Sequence, residues 1–379
     1  MRKYKKAILP KGFLAGALAC GIKKANKLDL ALFYSQIPAK AACKFTSNKI
    51  VSSPIKVNKL HLKNNRDFRA IIVNSGNANS FTGTQGIKDA KEVAKVLGGT
   101  LKIRNEKVLF ASTGIIGRRL PVDKIKKNIP KLISGLSVKG INKAKLAILT
   151  TDSFTKEITV KFNMSNKIVT ICGIAKGAGM IAPNIATMLA FIFTDANIAQ
   201  KALIKSLSIA VESSFNCITV DGCMSTNDSI MVLANGAAKN SLIERGKNFN
   251  LFLNSLGLVC LELAKMIIRD AEGATKFIKI KVRGARNFKE AKTVGLSISN
   301  SSLFKTAMYA SSPNVLGRIV AGIGASGINI NEKDLKIKLS PLKRKDVDID
   351  VSIGKGESGA TIYTSDLTPE YIKINAQYN

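Results

Sequence analysis

The chain of 379 residues has no tryptophan and a single histidine, His61. One imidazole gives no material for a zinc site or a Cys–His dyad. Six cysteines, Cys20, Cys43, Cys172, Cys217, Cys223 and Cys260, form no CxxC pair. They read as buried free thiols of a reducing, cytoplasmic compartment. Only 9 prolines and a hydrophobic content of 46% exclude a disordered chain. Aromatic residues are scarce, so a core must rest on Ile, Leu, Val, Ala and Phe. No apolar run approaches the length of a bilayer span, and no membrane partner is expected. The basic start, Arg2 to Lys6, followed by Ala7-Ile-Leu9, imitates an export signal, but Lys11 interrupts it.

Acidic residues are also few: 25 against 59 basic ones, a formal net charge of +34. Such an excess draws polyanions. The lysines are spread from Lys3 to Lys373, mostly singly or in pairs, and no ladder of aromatics accompanies them. They read as a solvated surface, not a nucleic-acid interface. A basic, non-enzymatic binding protein is the competing reading that this charge supports.

The length allows two or three domains. Strand-like and helix-like segments alternate without an internal repeat. Ala70–Val73 reads as a buried strand ending in the polar turn Asn74–Asn79. Asp89–Leu97 has helical spacing and stops at Gly98-Gly99. Lys107–Ala111 and Leu146–Leu149 read as strands delivering Ser112-Thr-Gly114 and Thr150-Thr-Asp152 to their ends. Ile168–Ile171 and Met188–Phe193 are further strands, and Ile198–Phe215 and Gly257–Asp270 are helical. Beyond them come a strand over Lys276–Val282 and helices near Glu290–Ile298 and Val315–Ile323. The tail, Leu335–Leu339, Val347–Ile353, Ala360–Thr364 and Tyr371–Ile374, alternates like edge strands. The fold class is α/β, with mixed α+β layers. Gly322-Ile-Gly-Ala-Ser-Gly327 fits GxGxxG, but it follows a helix, not a strand, and reads as a helix-ending turn.

The most informative stretch is Lys176-Gly-Ala-Gly-Met-Ile-Ala-Pro-Asn-Ile-Ala-Thr-Met188. It sets a lysine, two glycines and a proline ahead of a threonine at the mouth of an apolar strand. If the bond between Ala186 and Thr187 breaks, Thr187 gains a free amine beside its own hydroxyl, a recognised nucleophile design. Taken alone, Thr187 is an ordinary first residue of a strand, and Thr113-Gly114 a turn dipeptide.

With Gly12–Gly16, Cys20–Lys23, Asp29–Leu32, Val73–Asn79, Ala111–Gly117, Ser225–Asp228, Asp270–Lys276 and Lys305–Ala307, this stretch resembles the ornithine acetyltransferase family over nearly the whole chain. The resemblance implies mixed β-sheets sandwiched by helices, with a smaller C-terminal α/β domain. It implies self-cleavage into residues 1–186 and 187–379, which assemble as a heterotetramer of two copies of each fragment. Thr187 is then the nucleophile that carries acetyl from N-acetylornithine to glutamate, and Thr113 and Gly114 form the oxyanion hole. Thr150, Lys176, Thr187, Glu272 and Asn375 bind substrate, with Thr151 as the alternative to Thr150 if the register slips. No resident cofactor or metal is implied; acetyl-CoA is a second acetyl donor for some members. An N-terminal-nucleophile amidase or peptidase shares the threonine logic and discharges to water.

Two departures accompany the resemblance. The family's further Ser or Thr past Asn375 has no counterpart before Asn379, which leaves the substrate clamp one ligand short. Where the family reads Pro-Asn-Trp-Gly-Arg, this chain reads Pro313-Asn-Val-Leu-Gly-Arg318, one residue longer and without the tryptophan.

Overall fold

The computed structural model describes residues 1–24, 26–164, 166–182 and 188–377. The chain divides into two compact units. The first comprises Met1–Gly177, Thr187–Val211 and Ser225–Leu263. The second comprises Ala178–Ala186, Glu212–Met224 and Ala264–Asn379. These units follow other lines than a division at residues 186 and 187, because each draws on sequence from both sides of it.

The first unit carries nine strands: β1 (Arg2–Tyr4), β2 (Phe13–Leu18), β3 (Leu30–Phe45), β4 (Phe68–Asn77), β5 (Val108–Ile115), β6 (Lys156–Met164), β7 (Lys167–Lys176), β8 (Leu189–Thr194) and β9 (Ser229–Ala234). Their order is β1-β6-β7-β8-β9-β3-β4-β5, with β2 also on β3. The pairs β4–β5 and β8–β9 are parallel and the others antiparallel. The stretch that imitates an export signal therefore supplies the edge strand β1. The long β3 joins two halves of the sheet. Leu30–Tyr34 pairs with β2 and β4, and Lys40–Phe45 pairs with β9. Pro38 falls in the break, where a residue without an N–H interrupts no ladder bond.

Alternation along the strands sorts side chains into two cores. Phe33, Ile71, Val73 and Leu109 face inward and meet Phe191, Phe193 and Met231 of the other half. The Phe33 ring lies 5.4 Å from Phe191 and 5.0 Å from Phe193. Leu30, Leu32, Ala70, Ile72 and Phe110 point the other way, onto three helices. These are α1 (Ser53–Asn64), α2 (Gly83–Leu101) and α3 (Val122–Ser134). Strands buried on both faces explain why the segments read as unbroken apolar runs.

Helices α4 (Ile141–Ala147), α5 (Gln200–Glu212) and α6 (Gly246–Arg269) follow. Two expectations change here. Gly98 and Gly99 lie inside α2, which ends at Lys102 in the left-handed conformation, φ 56°. Gly98 is required because the chain folds back over it: a Cβ there falls 2.9 Å from the Ile103 carbonyl oxygen. Leu146–Leu149 is not a strand; it spans the end of α4 and its C-cap. Ile141, Ala144 and Ala147 are buried at helical spacing, while Leu146 is 48% exposed.

Helix α6 starts eleven residues before the expected Gly257. At 24 residues it is long and apolar enough to cross a membrane by length and composition, a feature that inspection for continuous apolar runs misses. Half of its most apolar window is buried, and Val259 and Leu263 lie against Gly173 of β7. A Cβ on Gly173 falls 2.6 Å from Val259, so α6 rests directly on the strand. It packs as a core helix.

The second unit holds a four-stranded sheet ordered β11-β12-β10-β13. Its strands are β10 (Phe277–Ala285), β11 (Lys336–Leu339), β12 (Asp346–Ser352) and β13 (Ser358–Ser365). Helices α7 (Phe288–Asn300), α8 (Ser302–Ala310), α9 (Val315–Gly324) and α10 (Pro369–Ala376) complete it. One face, with Ile278, Ile280, Val347 and Ile349, packs on Val294 and Ile298 of α7 and Ile319 of α9. The other carries Lys279–Asp348 and Arg283–Asp350 ion pairs. Helix α9 ends at Gly324 and Gly327 takes φ 72°, so the GxGxxG segment is a helix-ending turn.

The expected strand Tyr371–Ile374 is the helix α10. Thr368 caps it by accepting the Tyr371 N–H, and Pro369 occupies its first turn. Pro is pre-organised there and the hydroxyl satisfies an orphan donor. The apparent alternation is misleading, since Ile372 is 64% exposed.

Candidate active site

The ends of β4 and β5 are built around two glycines that touch. Gly114 has φ 132° and a Cβ there falls 2.3 Å from the Gly76 carbonyl carbon. Gly76 itself has φ 97°, and its own Cβ position is 3.0 Å from the Ile22 side chain. Neither position accepts a side chain. Beneath them Asp29 is fully buried and accepts the backbone N–H groups of Cys20, Ile22 and Lys23 at 2.7, 2.6 and 3.0 Å. That knot fixes the Cys20–Lys23 turn against Gly76.

Asparagines hold the neighbouring loops. Asn74 donates to the Asn77 carbonyl at 2.8 Å and accepts the Ser112 hydroxyl at 2.6 Å. Asn227 donates to the Ala78 and Ser112 carbonyls at 2.6 and 2.8 Å. Thr113 lies between Ser112 and Gly114 and is 6% exposed. The Thr113-Gly114 pair thus sits on a rigid, buried strand end, where fixed donors serve an oxyanion best.

Lys176 is the last residue of β7 and is buried at 3% exposure. Its ammonium lies 3.9 Å from Asp152 Oδ2. Asp152 Oδ1 accepts Lys156 Nζ at 2.7 Å and the Gly177 N–H at 2.6 Å. Asp152 Oδ2 accepts the Thr150 N–H at 3.0 Å. Burial pushes the Asp152 carboxyl upward, but the Lys176 and Lys156 charges and these bonds outweigh it and hold it well below the usual carboxylate range. Lys23 belongs to the same charge cluster; burial lowers its ammonium to about 8, with Asp29 opposing and Lys176 adding to the shift. Asp152 thus ties Thr150 to Lys176, two of the expected substrate residues of this unit.

In the second unit Asn375 donates to Glu272 Oε2 at 2.9 Å, so the expected pair meets. Gly179 faces the same carboxylate: a Cβ there falls 2.1 Å from Oε2. The Glu272 N–H donates to the Ala178 carbonyl at 3.0 Å. Asp221 holds the next turn by accepting the N–H groups of Met180 and Ile181 at 2.6 and 2.9 Å. The Tyr371 hydroxyl of α10 donates to Asp221 at 3.1 Å. Burial, with Asp221 beside it, raises that phenol well above its ordinary value.

The model of the ArgJ family matches residues 14–343. The arginine biosynthesis bifunctional protein ArgJ of Oceanobacillus iheyensis is 42% identical over 97% of this chain and 95% of its own length. That of Dehalococcoides mccartyi is 44% identical over 97% and 96%. The chain belongs to the ArgJ family. Among solved structures, the ornithine acetyltransferase of Mycobacterium tuberculosis in complex with ornithine is 34% identical, over 48% of this chain and 97% of the solved one, with a TM-score of 0.45.

The ArgJ match spans Thr113, Gly114, Thr150, Lys176, Thr187 and Glu272. Ala186 and Thr187, the expected cleavage pair and nucleophile, lie outside the described residues. Sequence reasoning missed Gly76, Asp152, Lys156 and Asp221 as site builders. Asp152 follows Thr150 by two positions, the spacing of a carboxylate that turns back on a backbone N–H, which was the available signal. No disulfide joins any of the six cysteines, all of which are described residues; Cys43 is half-buried and Cys223 exposed rather than buried.

Proposed function

We propose that this chain is a self-cleaving acetyltransferase of arginine biosynthesis that moves acetyl from N2-acetylornithine to glutamate. Membership in the ArgJ family supports the pathway and the enzyme class. The observation that carries the chemistry is the Gly76–Gly114 contact. It supports the reading because Thr113 and a side-chain-free backbone turn lie at the end of a buried strand, where donors to an oxyanion would need no reorganisation.

Cleavage before Thr187 releases its amine, whose reference pKa near ~8 suits it to take the hydroxyl proton at neutral pH. The Thr187 oxygen attacks the acetyl carbonyl of N-acetylornithine, the amide C–N bond breaks as the Thr187 ammonium returns the proton to the departing α-nitrogen, ornithine leaves, and an acetyl ester remains on Thr187. The α-amine of glutamate attacks that ester, and N-acetylglutamate departs with the threonine hydroxyl restored. Lys176, buried and cationic, pairs with the substrate α-carboxylate. The anionic Glu272, steadied by Asn375, receives the ornithine side-chain ammonium. No cofactor takes part in this cycle, and acetyl-CoA as an alternative donor would acylate the same threonine. Self-cleavage yields residues 1–186 and 187–379, assembled as two copies of each.

One ester intermediate shared by two substrates requires ping-pong kinetics. Initial rates with both substrates varied are expected to give parallel double-reciprocal lines. Intersecting lines, or release of acetate without transfer to glutamate, contradict the reading, the latter in favour of an amidase.

A further inference from the structure

Asp228 is buried at 1% exposure, one residue before β9 begins. Its Oδ1 accepts the backbone N–H of Met188 at 3.0 Å. The Met188 carbonyl in turn accepts the Ser229 N–H at 3.2 Å. Both polar backbone groups of Met188 are therefore held by consecutive residues, and Met188 directly follows Thr187 in the chain. The Ser225 and Thr46 hydroxyls lie against the same carboxyl.

We infer that Asp228 is a positioning residue for self-cleavage, holding through its backbone N–H Met188, the second residue after the scissile bond. The inference rests on the self-cleavage proposed above. A backbone carbonyl cannot substitute for Asp228 there, because β8 and β9 begin to pair only at Leu189 and Ser229. The ladder leaves the Met188 N–H to a side chain. Burial holds the Asp228 carboxyl well above the usual carboxylate range, against the Met188 N–H bond, the Lys176 charge and the Ser225 and Thr46 hydroxyls. The amide of asparagine keeps an acceptor oxygen in the place of Asp228 Oδ1.

The test follows fragment formation on denaturing gels after synthesis of the full chain, with far-UV circular dichroism and thermal unfolding to verify folding. Asp228→Asn is expected to cleave within about threefold of the unaltered chain, and Asp228→Ala at least about tenfold more slowly, the size of one lost orienting hydrogen bond. Asp228→Ser, too short to reach Met188, replaces the alanine variant if that one does not fold. A folded alanine or serine variant that cleaves at the unaltered rate overturns the inference. So does a folded Asp228→Asn chain that cleaves as slowly as they do, because the carboxyl would then act by carrying a proton. An unaltered chain that never cleaves is a different result: it removes self-cleavage itself, and Asp228 has nothing to position.

Discussion

Two kinds of residue build the first unit's part of the site: glycines that make room and a carboxylate that gathers lysines. Gly114→Ala puts a methyl carbon 2.3 Å from the Gly76 carbonyl carbon, well inside van der Waals contact, in a conformation with φ 132°. We expect a loss of about 2–4 kcal/mol in stability from strain and overpacking together, read as a lower midpoint in urea unfolding, and loss of transfer. Asp152→Asn leaves Lys156 and Lys176 buried without their counter-charge. Removing one partner of such a pair costs about 3–5 kcal/mol, and thermal unfolding measures it. The pH dependence has a definite sign. The Asp152 carboxyl sits below its unfolded value of ~3.9, so its contribution is fully present above that pH and is lost as pH falls through the lower folded value. The difference between the unaltered chain and Asp152→Asn is therefore expected to be constant from pH 5 to 8 and to shrink on acidification below pH 4. Of these residues, Thr113, Gly114, Thr150 and Lys176 were legible through motif resemblance. Asp152 was not singled out, because its partners at positions 150, 156, 176 and 177 converge only once β6 and β7 are paired.

At the scale of elements, strand and helix periodicity identified most segments where burial follows one clear rule. The helix α7 and strands β10 and β12 fall close to their expected places, since one face of each is buried and the other wet. The failures have a common cause: short stretches whose apolar residues do not all face a core. In α4, exposed Leu146 beside buried Ala147 and Ile148 imitated a strand. In α10, Ile372 and Ile374 imitated alternation, whereas the Thr368-Pro369 start was the decisive signal. That start also anchors the helix that carries Asn375. Thr368 accepts the Tyr371 N–H at 3.2 Å and donates to the Gly273 carbonyl at 2.7 Å. Thr368→Ala is expected to cost about 1 kcal/mol through the lost cap. If Asn375 steadies Glu272 in substrate binding, the variant raises KM for N-acetylornithine several-fold while kcat stays nearly constant. A fall in kcat at unchanged KM would contradict that role.

For the whole molecule, the net charge of +34 and the two-unit division carry different weight. The charge is not wholly a surface property. Lys156, Lys176, Lys276, Lys292 and Lys305 are buried, and each engages a carboxylate, a carbonyl or a hydroxyl. Salt dependence should therefore separate two populations. Nonspecific adhesion to anions is expected to vanish above physiological ionic strength, while the Asp152 contribution to stability persists, because buried pairs are screened far less. The layered architecture was legible in the alternation of segments. The division into units was not, since the second unit recruits Glu212–Met224 from the middle of the sequence and only tertiary contacts reveal it.

The most direct test of the account is the intact mass of freshly purified, folded protein under denaturing conditions, beside that of Thr187→Ala. The account predicts two masses for the unaltered chain, matching residues 1–186 and 187–379, and one full-length mass for the variant. A single full-length mass for active, unaltered protein, or two fragments from Thr187→Ala, would contradict it.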